Sequence, residues 1–158
     1  IAQMLIDSGA WIGHAHDRRV ASAIAKAGGT AYQYHFAHGG KFKYVAHASE
    51  LPYVFQLCGV LPAAAIPVAS CEGAGVIPSA AEKSLMTGIG TYWTNFARFH
   101  NPNGDDTANP SNALPLWPEY EVHNDSTALL DSPLGTESRY RAGADAFWRG
   151  ALAPPGGS

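Results

Sequence analysis

The chain of 158 residues carries a net charge of −3, and only 15% of its residues are charged. This balance excludes the basic footprint of a nucleic-acid-binding protein, and no run of lysine or arginine indicates an anionic membrane surface. No apolar stretch reaches the roughly 20 residues that a membrane-spanning helix needs. We expect residues 1–152 to belong to a single domain and residues 153–158 to form a flexible tail. Because the first residues, IAQMLIDSG, contain no initiator methionine, we expect the chain to begin inside a longer protein.

The first predicted elements are a helix and a strand. Residues 14–27 predict a helix, because apolar side chains share one face and Gly28-Gly29 follows as a stop. The face consists of Val20, Ile24 and Ala27. Residues 31–36 predict a strand, since aromatic residues alternate with polar ones at period two. Helix, glycine turn and strand together are typical of half an α/β unit.

The second half of the chain predicts a long helix and a shorter element pair. Residues 81–100 carry an apolar stripe with the spacing four, three, four, three. The stripe consists of Leu85, Ile89, Tyr92, Phe96 and Phe99. An Asn-Pro-Asn-Gly sequence at 101–104 ends this helix. Residues 127–131 predict a short edge strand, and Thr136 is the predicted cap of a last helix. Its apolar face would hold Tyr140, Ala144, Phe147 and Leu152.

Cys58 and Cys71 flank an irregular stretch, residues 58–79, that is rich in proline and small residues. A disulfide between them would close a loop of about a dozen residues and stabilise the protein by up to ~3 kcal/mol. A bridge would favour a secreted or periplasmic location, since disulfides persist in oxidising compartments. Two free thiols are the alternative, and the location is otherwise unknown.

A histidine in a polar loop precedes an apolar run at residues 47–55, HASELPYVF. On the residues alone, His47 is typical of a loop histidine bonded to backbone. However, the pattern His-x-x-Glu-Leu-x-Tyr-x-Phe resembles the segment that carries the catalytic histidine in type-B carboxylesterases, the cholinesterase-like α/β-hydrolases. Further segments are similar to the same family, in the same order and over nearly the whole chain. They are Tyr-x-Tyr-x-Phe-x-His at 32–38, Tyr-Trp-x-x-Phe-Ala at 92–97, Trp-Pro-x-Tyr at 117–120 and Phe-Trp at 147–148.

The resemblance implies the C-terminal segment of an α/β-hydrolase fold: strand, catalytic-histidine loop, long helix, short edge strand and final helix. The nucleophile elbow Gly-x-Ser-x-Gly is absent from the sequence. His38-Gly39-Gly40 has the spelling of an oxyanion motif but stands too late in the chain, so we interpret its glycines as turn residues. The nucleophile and the acid are therefore expected in an N-terminal part of the same enzyme, which would pack against this chain. Without that part, a large apolar surface would be exposed.

The implied reaction is hydrolysis of a small-molecule carboxylic ester through an acyl-enzyme, with no cofactor. His47 would carry the proton from the nucleophile to the leaving alcohol, because imidazole titrates near neutral pH. The family's equivalent of Glu50 lies behind the site, whereas on the residues alone Glu50 is equally typical of a helix start. Ala48 and Ser49 are small, and cholinesterases have a bulky aromatic residue at the position of Ser49. We therefore expect a more open acyl or alcohol pocket and no choline specialisation.

Two other functions compete with the esterase interpretation. Some cholinesterase-like domains are catalytically inactive and serve binding or adhesion. A metal site would rest on His14, His16 and Asp17 with His35 and His38, but no helically spaced histidine pair supports it. One departure from the family is clear as well. Its frequent disulfide to the final helix has a cysteine two residues before Phe-Trp, where this chain has Asp145, so that bridge cannot form.

Overall fold

The computed structural model describes residues 14–39, 45, 48–57, 78–105 and 114–151, with only the backbone of residues 14, 15 and 148–151. The chain divides into two compact units. The first unit comprises Ile1–Gln33, Pro118–Thr127 and Glu137–Ser158, and the second comprises Tyr34–Trp117 and Ala128–Thr136. The single domain that the sequence suggests stays a prediction, and the expected tail at 153–158 lies outside the described residues.

The described part of the chain contains four helices and three strands. They are α1 (His14–Lys26), β1 (Tyr34–Phe36), α2 (Leu51–Val54), α3 (Ala80–Phe99), β2 (Ser126–Leu130), β3 (Gly135–Ser138) and α4 (Ala142–Ala151). None of the described helices is both long enough and apolar enough to cross a membrane. The irregular stretch with Cys58 and Cys71 lies outside the described residues, apart from Pro78 and Ser79.

Helix α1 forms where the sequence predicts it and ends at Gly28, whose φ of +79° is a left-handed conformation that glycine adopts without strain. Its predicted apolar face is not buried in this chain. Val20 and Ile24 are 47% and 39% exposed, whereas Arg18 is only 7% exposed. Arg18 decides which face of α1 is buried, because the carboxylates with which its guanidinium pairs lie in the interior of the first unit.

Arg18 holds together three parts of the first unit that are distant in sequence. Its Nε donates to both carboxylate oxygens of Asp125, at 2.9 and 3.0 Å. Its Nη2 donates to the backbone oxygen of Tyr140, and its Nη1 lies 3.5 Å from Oδ2 of Asp145 in α4. Asp145 thus forms an ion pair at the position where the family often has a cysteine.

The described sheet has the order β1-β2-β3, and β1 runs parallel to β2 with Phe36 opposite Leu130. The strand predicted at 127–131 forms as β2, but the expectation that it lies at the edge is wrong for the described sheet, because β3 pairs with its other side. β1 is also shorter than predicted, since only residues 34–36 have partners on β2. Phe36 and Leu130 are buried, and they form part of the core of the second unit.

Helix α3 matches the predicted long helix, and its ends show why it forms there. Ser79 Oγ accepts from the backbone N–H of Glu82 at 3.2 Å, while Glu82 Oε2 accepts from the backbone N–H of Ser79 at 3.0 Å. This reciprocal capping box satisfies amide donors that the first helical turn leaves unpaired. At the other end, His100 adopts a left-handed conformation with φ of +56° and stops the helix.

The apolar stripe of α3 is only partly buried in this chain. Its first three members are 3% exposed or less, whereas Phe96 and Phe99 are 49% and 43% exposed. Tyr92 contacts the ring of Trp117 edge-on at 5.2 Å, and its hydroxyl donates to the backbone oxygen of Pro115. Burial raises the pKa of the Tyr92 hydroxyl to about 12. The apolar stripe of α3 therefore belongs to the core in its N-terminal and middle turns, as its helical spacing predicts.

The predicted helix cap at Thr136 is wrong. Residues 135–138 form β3 instead, and the last helix, α4, begins only at Ala142. Thr136 follows a glycine and resembles a helix cap locally, but pairing with β2 takes precedence over that local preference. Tyr140 consequently lies before the helix, Phe147 is 65% exposed, and Leu152 is outside the described residues.

Candidate active site

His47 itself lies outside the described residues, and the described chain resumes directly after it at Ala48. Ala48 has a φ of +66°, a left-handed conformation that costs a residue with a Cβ atom roughly 1–2 kcal/mol. Ser49 is fully buried, with 0% exposure, and Glu50 is half-buried. Strained backbone of this kind is frequent at functional sites, where surrounding contacts hold it in place.

Short helix α2 ties these residues to the second unit. The backbone N–H of Leu51 donates to the oxygen of Ala48 at 3.3 Å, and those of Tyr53 and Val54 donate to the oxygen of Glu50 at 2.9 and 3.0 Å. Pro52 stands at the helix start, where its missing N–H costs nothing. Glu50 is the N-cap residue of α2 but makes no side-chain capping bond. Its predicted role behind the site stays a prediction.

Tyr53 is the buried anchor of α2. Its ring packs against that of Phe36 on β1 with a centroid distance of 5.3 Å, and its hydroxyl lies 3.4 Å from Oε1 of Glu82 on α3. Glu82 is only 2% exposed, and its second oxygen belongs to the capping box of α3. The residues after His47 are thereby fixed to both the sheet and the long helix.

A second imidazole, that of His38, lies in the same unit, and the sequence predicted it only as a member of the rival metal site. His38 Nδ1 lies 2.9 Å from Oδ1 of Asp131, and the side chain of His38 is 14% exposed. The ring of His38 also meets that of Tyr53 edge-on, at 5.6 Å between centroids. The pairing with Asp131 was not predicted, because the two residues are 93 positions apart in the chain. One feature of the sequence could have indicated this contact: His38 and Asp131 each lie at or just beyond the end of a predicted strand.

The carboxyl ends of β1 and β2 place His38 and Asp131 at one edge of the sheet. The two strands are parallel, and the backbone N–H of Ala37 continues the pairing by donating to Leu130 at 3.1 Å. In open α/β sheets this edge is where ligands bind. The chain segment with His47 leaves β1 at the same edge, and its far end is anchored there through Tyr53.

The second unit also contains a cavity of about 400 Å³. It is lined by Val54, Gln56 and one face of α3, and the described residues Ala48, Ser49 and Glu50 do not line it. The open acyl or alcohol pocket that we expect around Ala48 and Ser49 stays a prediction. Among the residues that the structure describes, no three His, Cys, Asp or Glu side chains lie close enough to hold a metal ion.

Comparison with known proteins identifies the family to which this arrangement belongs. A model described as the carboxylesterase family matches residues 9–148. The chain belongs to the carboxylesterase family. The match confirms the resemblance that the sequence motifs indicate. Carboxylesterase 5A of Mus musculus is 37% identical over 71 residues, which is 45% of this chain and 11% of that protein.

Solved carboxylesterase structures share the fold. The carboxylesterase EST55 of Geobacillus stearothermophilus at pH 6.2 matches with a TM-score of 0.59 and 23% identity, over 82% of this chain and 24% of its own. The same carboxylesterase at pH 6.8 matches with a TM-score of 0.59 and 25% identity, over 81% and 24%. The fold is thus that of an α/β-hydrolase, as predicted. The chain spans about a quarter of these structures and about a tenth of the curated relative.

Proposed function

We propose that this chain supplies the catalytic histidine, His47, to a serine esterase that hydrolyses carboxylic esters through an acyl-enzyme. The observation that carries the proposal is the family match over residues 9–148, which includes the His47 segment. The nucleophile and the acid would belong to an N-terminal part of the same enzyme, either as another chain or as a preceding segment.

The chemistry requires a base of moderate strength beside an alcohol nucleophile. His47 would take the proton of the serine hydroxyl during acylation and return it to the leaving alcohol. An acidic residue would hold the other ring nitrogen and fix the tautomer. In α/β-hydrolases the three residues follow in the order serine, acid, histidine, so the histidine belongs to the C-terminal part of the chain.

The backbone next to His47 supports this role. A catalytic imidazole must be held in a narrow range of positions, because small displacements cost large factors in rate. Ala48 is held in a strained left-handed conformation, and Ser49, fully buried, and α2 anchor the chain directly afterwards. The loop therefore ends at a rigid point, which suits a residue that must meet a nucleophile from elsewhere.

The substrate pocket would border Ala48, with fully buried Ser49 behind it and Glu50 shaping the hydrogen bonds behind His47. The burial of Ser49 leaves no exposed surface at this position within the second unit. A bulky aromatic residue in its place would need room that the described packing does not provide. The small size of Ala48 and Ser49 is the basis on which we propose an ester substrate without a choline-like group.

The test is turnover of a p-nitrophenyl ester by the complete enzyme with His47→Ala. We expect a loss of about 10⁴-fold or more with an unchanged melting temperature, because the general base is removed and packing is not. His123→Ala is the matched control: His123 is an exposed histidine of the first unit and should leave the rate unchanged.

Two outcomes would contradict the proposal. Retention of more than a tenth of the activity by His47→Ala would reject His47 as the base. A wild-type enzyme that neither hydrolyses esters nor reacts with a fluorophosphonate would instead favour the inactive binding domain. In that case the upstream sequence should lack a serine at the nucleophile elbow.

A further inference from the structure

The His38–Asp131 pair is a partly buried polar contact, with side chains 14% and 40% exposed, and it has no role in the proposed reaction as described above. Asp131 is fixed by its own backbone, because Oδ1 accepts from the N–H of Ser132 at 2.7 Å. The same oxygen lies 2.9 Å from Nδ1 of His38. An ionised carboxylate can only accept a hydrogen bond, so the Nδ1 proton must be on the ring. Asp131 thereby fixes both the orientation and the tautomer of His38.

The other nitrogen of His38 then carries a lone pair in the neutral imidazole. Nε2 is buried, and none of the described residues forms a hydrogen bond with it. Buried polar atoms in folded proteins nearly always have a partner. Within the described residues, Asp131 therefore holds Nδ1 of His38 while Nε2 has no hydrogen-bond partner.

His38 and Tyr53 lie on the two sides of the proposed base in the chain. His38 follows β1 and precedes His47, whereas Tyr53 follows His47 in α2. Their rings meet edge-on at 5.6 Å, with an angle of 77° between the planes. Tyr53 is fully buried and is held by Phe36 and Glu82. The segment that contains His47 thus begins and ends at two residues that contact each other.

We propose that Asp131, His38 and Tyr53 form a clamp that positions His47 for ester hydrolysis. Asp131 sets the angle of the His38 ring, that ring sets the position of Tyr53, and Tyr53 fixes the helix that starts after His47. His38 and Asp131 are positioning residues in this arrangement, because they act on the reaction through the backbone on either side of His47. The inference rests on the proposed function.

The experiment compares kcat, KM and melting temperature in the complete enzyme with a p-nitrophenyl ester. Asp131→Ala and His38→Ala should lower kcat about 10- to 100-fold, the range that a displacement of about 1 Å costs, and change KM less than about threefold. Asp131→Asn should stay within about threefold of the wild type, since its amide oxygen still accepts from Nδ1–H. The rate of labelling by a fluorophosphonate should follow kcat, because acylation uses the same base.

A milder variant covers the case in which the alanine variants fail to fold. His38→Asn keeps a donor for Asp131 but removes the ring that meets Tyr53, so kcat should fall while folding is retained. Asn103→Ala is the matched control for lost stability in the same unit. Asn103 is buried and its amide bonds the backbone of Trp117 at 2.8 and 2.9 Å, away from the clamp. Its kcat should stay within about twofold of the wild type.

Each other result overturns the clamp. If His38 and Asp131 variants keep the kcat of Asn103→Ala at an equal loss of melting temperature, the pair is only structural. If Asp131→Asn is as slow as Asp131→Ala, the reaction depends on the negative charge of Asp131 and not on its hydrogen bond to His38. If His38→Ala is as inactive as His47→Ala, His38 is the base itself. An inactive wild type removes the proposed function together with the clamp, whereas the first result removes the clamp alone.

Discussion

The interiors of the two units differ in composition. In the first unit the described interior is largely ionic: Arg18, Asp125 and Asp145 are 6–7% exposed, beside Ala21 and Tyr120. In the second unit it is apolar and aromatic, with Tyr53, Leu85, Ile89 and Trp117 at 5% exposure or less. Its buried polar groups, such as Glu82 and Asn103, are hydrogen-bonded to neighbouring elements. The segment with His47 belongs to the second unit.

This difference predicts which substitutions should destabilise each unit. A buried ion pair adds little net stability over an apolar pair, but removing one partner leaves a charge without compensation. An aromatic core loses stability in proportion to the contacts removed. The first unit should therefore respond sharply to the loss of a single charge, whereas the response of the second should follow the size of the side chain that is removed. A site that needs a constant geometry is better served by the second kind of interior.

The largest effect on stability is expected for Arg18→Leu. The substitution leaves the carboxylates of Asp125 and Asp145 buried without their cation, which should lower the free energy of unfolding by about 3–5 kcal/mol. Urea denaturation of the complete protein measures this. Arg19→Leu is the matched control, since Arg19 is exposed on the same helix and should cost less than about 0.5 kcal/mol. Equal effects of both variants would refute the ionic interior of the first unit.

A smaller, pH-dependent effect is expected for Tyr92→Phe in the second unit. The hydroxyl of Tyr92 donates to Pro115, so its loss should cost about 1 kcal/mol at pH 8. Burial raises the pKa of Tyr92 from 10.0 to about 12. Because the unfolded chain loses this proton first, the stability that neutral Tyr92 contributes is fully present below pH 10. It is lost as the pH rises through about 12.

The difference in unfolding free energy between the wild type and Tyr92→Phe should therefore shrink from pH 10 to pH 12. Urea titrations at pH 8, 10 and 11 follow this change. A difference that stays constant over this range would show that the hydroxyl is not buried in the folded protein.

Effects of opposite sign are expected at two glycines of the first unit that both have open space around them. A Cβ atom at Gly143 or at Gly28 would meet no heavy atom within 4 Å outside the local backbone. Gly143→Ala in α4 should raise the unfolding free energy by up to about 1 kcal/mol, because alanine restricts the unfolded chain. Gly28→Ala should lower it by about 1–2 kcal/mol, since φ is +79° there. Thermal unfolding measures both changes. If both substitutions stabilise the protein, or both destabilise it, this backbone argument is contradicted.

Local patterns predicted the elements whose cause is local. The capping box of Ser79 and Glu82 and the stop after Phe99 are encoded within a few residues, and α3 lies within one residue of its predicted bounds. The same holds for α1 and its glycine stop. The family was also recognisable, because its motifs are short and occur in a fixed order. The predicted cap at Thr136 failed, since its neighbours are decided by pairing with β2.

What the sequence by itself determined is the family and the order of the main elements, both of which depend on residues close together in the chain. The role of His47 stays a prediction. Only the tertiary structure decided that Arg18 is buried instead of Val20, that β2 is the central strand of the described sheet, and that His38 meets Asp131 and Tyr53. The physical reason is range. Helix caps and periodic faces form between neighbours, whereas burial, strand order and ion pairs depend on residues that only the folded chain brings together.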